Sequence, residues 1–122
     1  MKYFTLTEAR KTLPLIRKIV NDILKSGQEL KLLAATLHDR AESNQMFIEL
    51  KNNLINYINE LESLGCFYKD WNFEYGLVDF PSKINEETVL LCWRSDEPDI
   101  FFYHNLEEGY SGRKPIPEDI FK

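Results

Sequence analysis

Two cysteines, Cys66 and Cys92, are too few for a disulfide framework and suit a reducing compartment. Five glycines and five prolines in 122 residues exclude collagen-like and low-complexity chains. Long apolar runs are lacking as well. The longest, such as Thr88–Trp93, fall far short of the ~20 residues that span a bilayer. No apolar core with a small-residue cleavage site follows Met1-Lys2-Tyr3-Phe4-Thr5, so no secretory leader is expected. What is present is ordinary for a soluble domain: 43% hydrophobic and 29% charged residues, at a length suited to one hydrophobic core.

Positive charge is scarce where the chain is richest in aromatics. The net charge is −5, with +1 on residues 1–64 and −6 on residues 65–122, and twelve of the sixteen aromatics lie in the second part. A composition shift at Leu64-Gly65 thus marks two structural parts of one domain over 1–122. An acidic second half is poorly suited to phosphate backbones. Arg10, Lys11, Arg17 and Lys18 form a local basic cluster, read as a solvated helix face, with nucleic acid a minor alternative.

Thr5-Leu6-Thr7-Glu8 reads as a capping box. Apolar or small residues then recur at Leu6, Ala9, Leu13, Ile16, Val20, Ile23, Gly27, Leu30, Ala34 and Leu37, three and four apart. The spacing predicts one long helix, kinked near Pro14, with Gly27 permitting a close approach. Ala41–Gln45 breaks the pattern as a turn. Phe47, Leu50, Leu54, Tyr57, Leu61 and Leu64 predict a second helix, closed by Gly65 and antiparallel to the first. Helices of roughly 35 and roughly 20 residues would run about 50 Å and about 30 Å. The stripe through Ala9, Leu13 and Ile16 therefore needs cover from the second half or from another subunit.

Beyond Gly65 the period changes to that of strands. Gly76–Phe80 is expected to be a short strand stopped by Pro81. Thr88–Arg94 and Asp99–His104 are expected to form a hairpin around Ser95-Asp96-Glu97-Pro98, pairing Arg94 with Asp99 and Cys92 with Phe101. That register puts Val89, Leu91, Trp93, Ile100, Phe102 and His104 on one face. Leu90, Cys92, Arg94, Asp99, Phe101 and Tyr103 take the other. Both faces are apolar, so one should meet the helices and the other a subunit or the C-terminal tail, which reads as irregular from Asn105.

Candidate chemistry centres on polar residues of the second half. Asp79 interrupts an apolar strand, so it must face solvent, pair, or belong to a site; Arg94 and Arg113 are the expected partners. Asp79, Arg94, Glu97, His104 and Arg113 converging on one pocket would bind a small anionic ligand through Arg94, Glu97 and Arg113. His104 or Asp79 would then move protons as the candidate catalytic groups. Cys92 and His104 match no zinc spacing and point to opposite faces in the expected register, so no metal or other cofactor is expected. Cys92 reads as a small core hydrophobe. Gly109-Tyr110-Ser111-Gly112-Arg113 matches neither a nucleic-acid clamp nor a P-loop.

Phe4-Thr5, Glu8-Ala9, Leu13-Pro14, Leu64-Gly65-Cys66, Lys69-Asp70 and Gly76-Leu77-Val78-Asp79-Phe80-Pro81 together resemble a bacterial family of unknown function, DUF2203. Leu91-Cys92-Trp93-Arg94, Glu97, Ile100, His104, Gly109, Gly112-Arg113 and Pro115-Ile116 continue it, with Ser95-Asp96 and Tyr103 as mild departures. The resemblance implies bacterial origin, cytoplasmic residence and a helix hairpin with a small sheet, and it brings no activity. The reading is an α+β fold: a long kinked N-terminal helix and a second antiparallel helix packed with a small antiparallel β-sheet. The leading expectation for function is a self-associating interaction or scaffold module, a homodimer. The alternative is the small anionic-ligand or hydrolytic site.

Overall fold

The computed structural model describes residues 1–117 and 119. Helix α1 spans Leu6–Leu37, 32 residues with Pro14 inside the run. It opens on the expected capping box: Thr5 Oγ1 accepts from the Glu8 N–H at 3.1 Å, and Glu8 Oε1 accepts from the Thr5 N–H at 3.1 Å. A 3₁₀ turn over His38–Ser43 leads into helix α2, Gln45–Ser63, whose first turn is capped by the Asn44 side chain. Gly65, at φ +96°, ends α2. Its N–H reaches the Glu62 carbonyl and the Cys66 N–H reaches the Leu61 carbonyl, the two bonds of a Schellman turn.

Among the described residues five antiparallel strands follow: β1 (Phe67–Tyr68), β2 (Leu77–Ile84), β3 (Glu87–Arg94), β4 (Phe102–Asn105) and β5 (Lys114–Pro115), neighbours in that order. The fold is therefore α+β, two helices packed with one sheet. The far end of the α1 stripe does not overhang into water. Ala9, Leu13 and Ile16 are buried in one cluster with Phe80, Leu91, Trp93 and Ile100, so the chain's own sheet shelters what α2 cannot reach. Arg10 donates to the Ile100 carbonyl at 2.8 Å, and Arg17 donates to the Pro98 carbonyl at 3.3 Å while lying 5.1 Å from the Trp93 ring centroid. Two members of the basic cluster thus staple α1 to the loop after β3 instead of forming a solvated face.

Three strand expectations are corrected. Pro81 does not stop β2, which continues to Ile84 and turns through Asn85 and Glu86, both at positive φ (51° and 71°), into β3. The Pro81 carbonyl accepts from the Phe4 N–H at 2.7 Å. A strand residue's nitrogen and carbonyl point the same way, so the missing N–H falls on the side away from β3 and costs the β2–β3 ladder nothing. The β3–β4 register is one residue out from expectation: Cys92 pairs with Phe102, and Leu90 with His104. The connection is a loop over residues 95–101 with its own bonds. Arg94 N–H and Trp93 Nε1–H donate to the Glu97 side chain and carbonyl, at 2.7 and 2.9 Å. One residue of slip reverses β4, so His104 and Phe102 join Leu90, Cys92 and Arg94 on the face away from the helices. Finally, the tail is not wholly irregular: a 3₁₀ turn (Tyr110–Gly112) and β5 return to the sheet. The remainder of that expectation, at Glu118, Ile120, Phe121 and Lys122, lies outside the described residues.

Candidate functional site

The corrected register builds a site on the outer face of the sheet. Asp79 on β2 pairs with Cys92 on β3, and His104 on β4 lies across from Leu90, one pleat away. All three point away from the helices yet are buried, at 4%, 1% and 3% exposure. One ligand-capable atom from each, an Asp79 oxygen, Cys92 Sγ and a His104 ring nitrogen, lies within 4.8 Å of the other two. The expectation that Cys92 and His104 point to opposite faces is overturned.

Hydrogen bonding fixes the state of this cluster. His104 Nδ1 lies 2.9 Å from the Asn105 carbonyl, and Nε2 lies 3.1 Å from Asp79 Oδ1. A carbonyl only accepts, so Nδ1 carries a proton and Nε2 is the atom offered to Asp79. Two lone-pair-bearing atoms at that distance require a proton or another cation between them. Burial raises the Asp79 carboxyl above its usual range, opposed by His104 and, further down, by Lys69 and the Cys92 thiol. Burial also pushes the Cys92 thiol up to about 12, with the Asp79 charge adding to it. The resting cluster is therefore a neutral thiol beside an Asp79–His104 pair that shares one proton.

The cluster opens into a cavity of about 300 Å³, completed by Lys69, Leu77, Leu106, Glu108 and Tyr110. The C-terminal tail walls it, covering in part the outer sheet face. Arg94, Glu97 and Arg113 do not enter this cavity. Arg113 Nη2 reaches Glu97 Oε1 at 2.7 Å and the Cys92 carbonyl at 3.0 Å, while Arg94 holds Asp96 at 2.9 Å and donates to the Tyr110 hydroxyl. The guanidinium of Arg113 lies 4.1 Å from the Phe102 ring centroid and 4.8 Å from that of Tyr110. The five expected site residues therefore divide into a buried Asp79–His104 pair and a separate arginine–carboxylate group. The second group positions the Tyr110 wall of the first. Asp79 pairs with His104 instead of either arginine.

Cys92, Lys69 and Tyr110 were not expected at a site. The usable signal was the Asn85-Glu86 turn: centring β2–β3 there puts Asp79 opposite Cys92. The loop over residues 95–101, which brings His104 to the same face, carries no comparable mark.

A hairpin of unequal helices sheltered by a five-stranded meander, with a polar cluster on the sheet's far face, defines a small α+β domain. Residues 2–116 match the model of the family described as Uncharacterized conserved protein (DUF2203). The chain belongs to that family. Comparison with curated proteins and with solved structures found no match to either. Among the described residues, no helix is long and apolar enough to cross a membrane.

Proposed function

We propose that the chain binds a small polar ligand in the cavity over the outer sheet face, with Asp79 and His104 as its proton-handling groups and hydrolytic chemistry within their reach. The observation that carries this reading is the buried Asp79–His104 pair opening into the cavity. A buried carboxylate and imidazole cost stability unless paired, and a well-packed apolar pair would serve the fold as well. Lys69 supplies the positive side of the cavity and Glu108 the negative side, with the Asp79–His104 pair between them. An anionic group near Lys69 suits the first, a hydroxyl or amine donor the second. Arg94 and Arg113 contribute by holding Tyr110, not by touching the ligand. Amide NMR with inorganic phosphate and with acetate as probes tests the reading. Saturable shifts confined to Lys69, Leu77, Cys92, His104 and Glu108–Tyr110 support it; shifts scattered over the surface, or none there, remove it.

A second reading, self-association as a homodimer, loses its first motive because the α1 stripe is covered within the chain. It keeps another. At the tip of the hairpin Leu32 and Met46 are 72% and 61% exposed and, with Leu33 and Leu50, line an apolar groove. Two copies meeting tip to tip would each offer the same patch, as a two-fold contact requires. Light scattering on wild type and Leu32→Glu decides: a dimer converted to monomer supports it, and a wild-type monomer at micromolar concentration ends it. Residence in the cytoplasm of a bacterium is part of the same proposal and fits two free, buried cysteines.

A further inference from the structure

Three features of the cluster go beyond a proton-sharing pair. First, its donors are one thiol, one imidazole and one carboxyl, the set that zinc-class divalent ions take, with their donor atoms within 4.8 Å of one another. Tetrahedral bonds to such an ion separate the donors by roughly 3.3–3.8 Å, so rotamer-scale movement closes the set. The 3.1 Å between His104 Nε2 and Asp79 Oδ1 is already near that edge. Second, His104 Nδ1 is committed to the Asn105 carbonyl at 2.9 Å, which fixes the tautomer that presents Nε2. Metal-bound histidines are held in this manner. Third, the fourth side of the cluster is the cavity, with room for water or a ligand atom.

We infer that Asp79, Cys92 and His104 are the three protein ligands of a zinc-class divalent ion whose remaining position opens into the cavity. The inference rests on the reading of that cavity as a working site and names the ion it would hold; with the ion bound, Asp79 and His104 serve as its ligands, and proton transfer passes from them to water at the open position. Charge balance favours a divalent ion. Without it the cluster holds a neutral thiol and one proton shared between Asp79 and His104, net zero. Uptake forms bonds to sulfur, nitrogen and oxygen and expels two protons to solvent, one from Cys92 and one from the pair. Thiolate, carboxylate and the ion again sum to zero. A buried site stays neutral in both states only with a 2+ ion. Lost hydration of the ion is replaced by three donors, and the ion's open position polarises whatever enters from the cavity.

Cobalt(II) substitution tests this on the full chain. One equivalent of Co²⁺ should give a thiolate-to-cobalt charge-transfer band and the intense visible bands of a four-coordinate ion, both abolished by one equivalent of Zn²⁺. Cys92→Ser should lose the charge-transfer band, and Cys66→Ser, which alters the other buried cysteine, should keep it. His104→Ala should weaken Zn²⁺ binding by at least about tenfold to a hundredfold. Calorimetry of Zn²⁺ binding to wild type in buffers of different ionisation heat should count two released protons near neutral pH. It needs no variant to fold. Absence of the band in wild type, its survival in Cys92→Ser, or release of no proton overturns the inference. If phosphate or acetate still fills the cavity in the presence of a chelator while no band forms, the ion falls and the cavity stands. If the band forms but neither probe perturbs the cavity, the proposed ligand site falls and the ion stands.

Discussion

Replacing Gly27 by alanine should destabilise this protein, against the usual direction for a helix interior. In an open helix the change gains about 1 kcal/mol. Here an alanine Cβ would sit 2.2 Å from Cγ of Phe73 and 2.3 and 2.6 Å from its two ring neighbours, inside the ring's own volume. The ring cannot simply swing away. Phe73 is buried, with φ +58°, and its carbonyl accepts from Gln28 Nε2 at 2.9 Å; the preceding Asn72 carbonyl accepts from Lys31 Nζ at 2.9 Å. The Asp70 carboxylate gathers the N–H groups of Asn72, Glu74 and Tyr75 and stiffens the loop beneath. Overpacking a fixed neighbour costs about 1–3 kcal/mol, and expelling the ring about 3–5 kcal/mol. Set against the helical gain of about 1 kcal/mol, the net loss is about 0–2 kcal/mol if the ring shifts in place and about 2–4 kcal/mol if it is expelled, at roughly 4 °C in melting temperature per kcal/mol. Urea unfolding of Gly27→Ala, Phe73→Ala and the double variant measures it. In the Phe73→Ala background the alanine should turn neutral or stabilising. A Gly27→Ala protein more stable than wild type would refute the seating of Phe73 on α1.

Other outcomes follow from the same contacts. Glu97→Gln leaves Arg113, with 11% side-chain exposure, facing an uncharged partner. It should cost about 2–4 kcal/mol in urea unfolding and speed hydrogen exchange over 109–113, where Tyr110 is held. Glu86→Gly, at φ 71° in the β2–β3 turn, should stabilise by about 0.5–1 kcal/mol in thermal unfolding, because glycine adopts that backbone without strain. Burial raises both thiols, Cys66 and Cys92, from 9.0 to about 12. The folded state therefore holds their protons more tightly, and that stability is complete below pH 9 and is lost as pH rises towards about 12. Alkaline unfolding should shift upward in Cys66→Ala relative to its own neutral-pH stability, and neither thiol should react with an aromatic disulfide reagent before unfolding.

Much of the architecture was legible because it rests on local chemistry. Thr5 and Glu8 cap α1, Gly65 ends α2, and the three-and-four spacing from Leu6 to Leu37 defines the long helix. The mismatch in helix length correctly demanded cover for Ala9, Leu13 and Ile16, and the sheet supplies it. The site was harder to see because it depends on register. Pro81 reads as a strand terminator unless one knows that its nitrogen faces Phe4, and losing 82–84 hid the Asn85-Glu86 turn that fixes Asp79 opposite Cys92. The loop over residues 95–101 is held from outside by Arg10, Arg17 and Arg113, contacts remote in sequence, so no local pattern sets its length. One residue of slip there moved His104 to the wrong face and separated it from Cys92.

The candidate site depends most on Asp79 facing His104 Nε2 while Nδ1 is committed to the backbone. Long-range proton–nitrogen correlation spectra of the two imidazoles test it directly, with solvent-exposed His38 as the internal reference. His104 Nδ1 should carry a proton in wild type, and Asp79→Asn should shift the Nε2 resonance while leaving His38 in place. A His104 ring with an unprotonated Nδ1, or one indifferent to Asp79→Asn, would contradict the register and the site built on it.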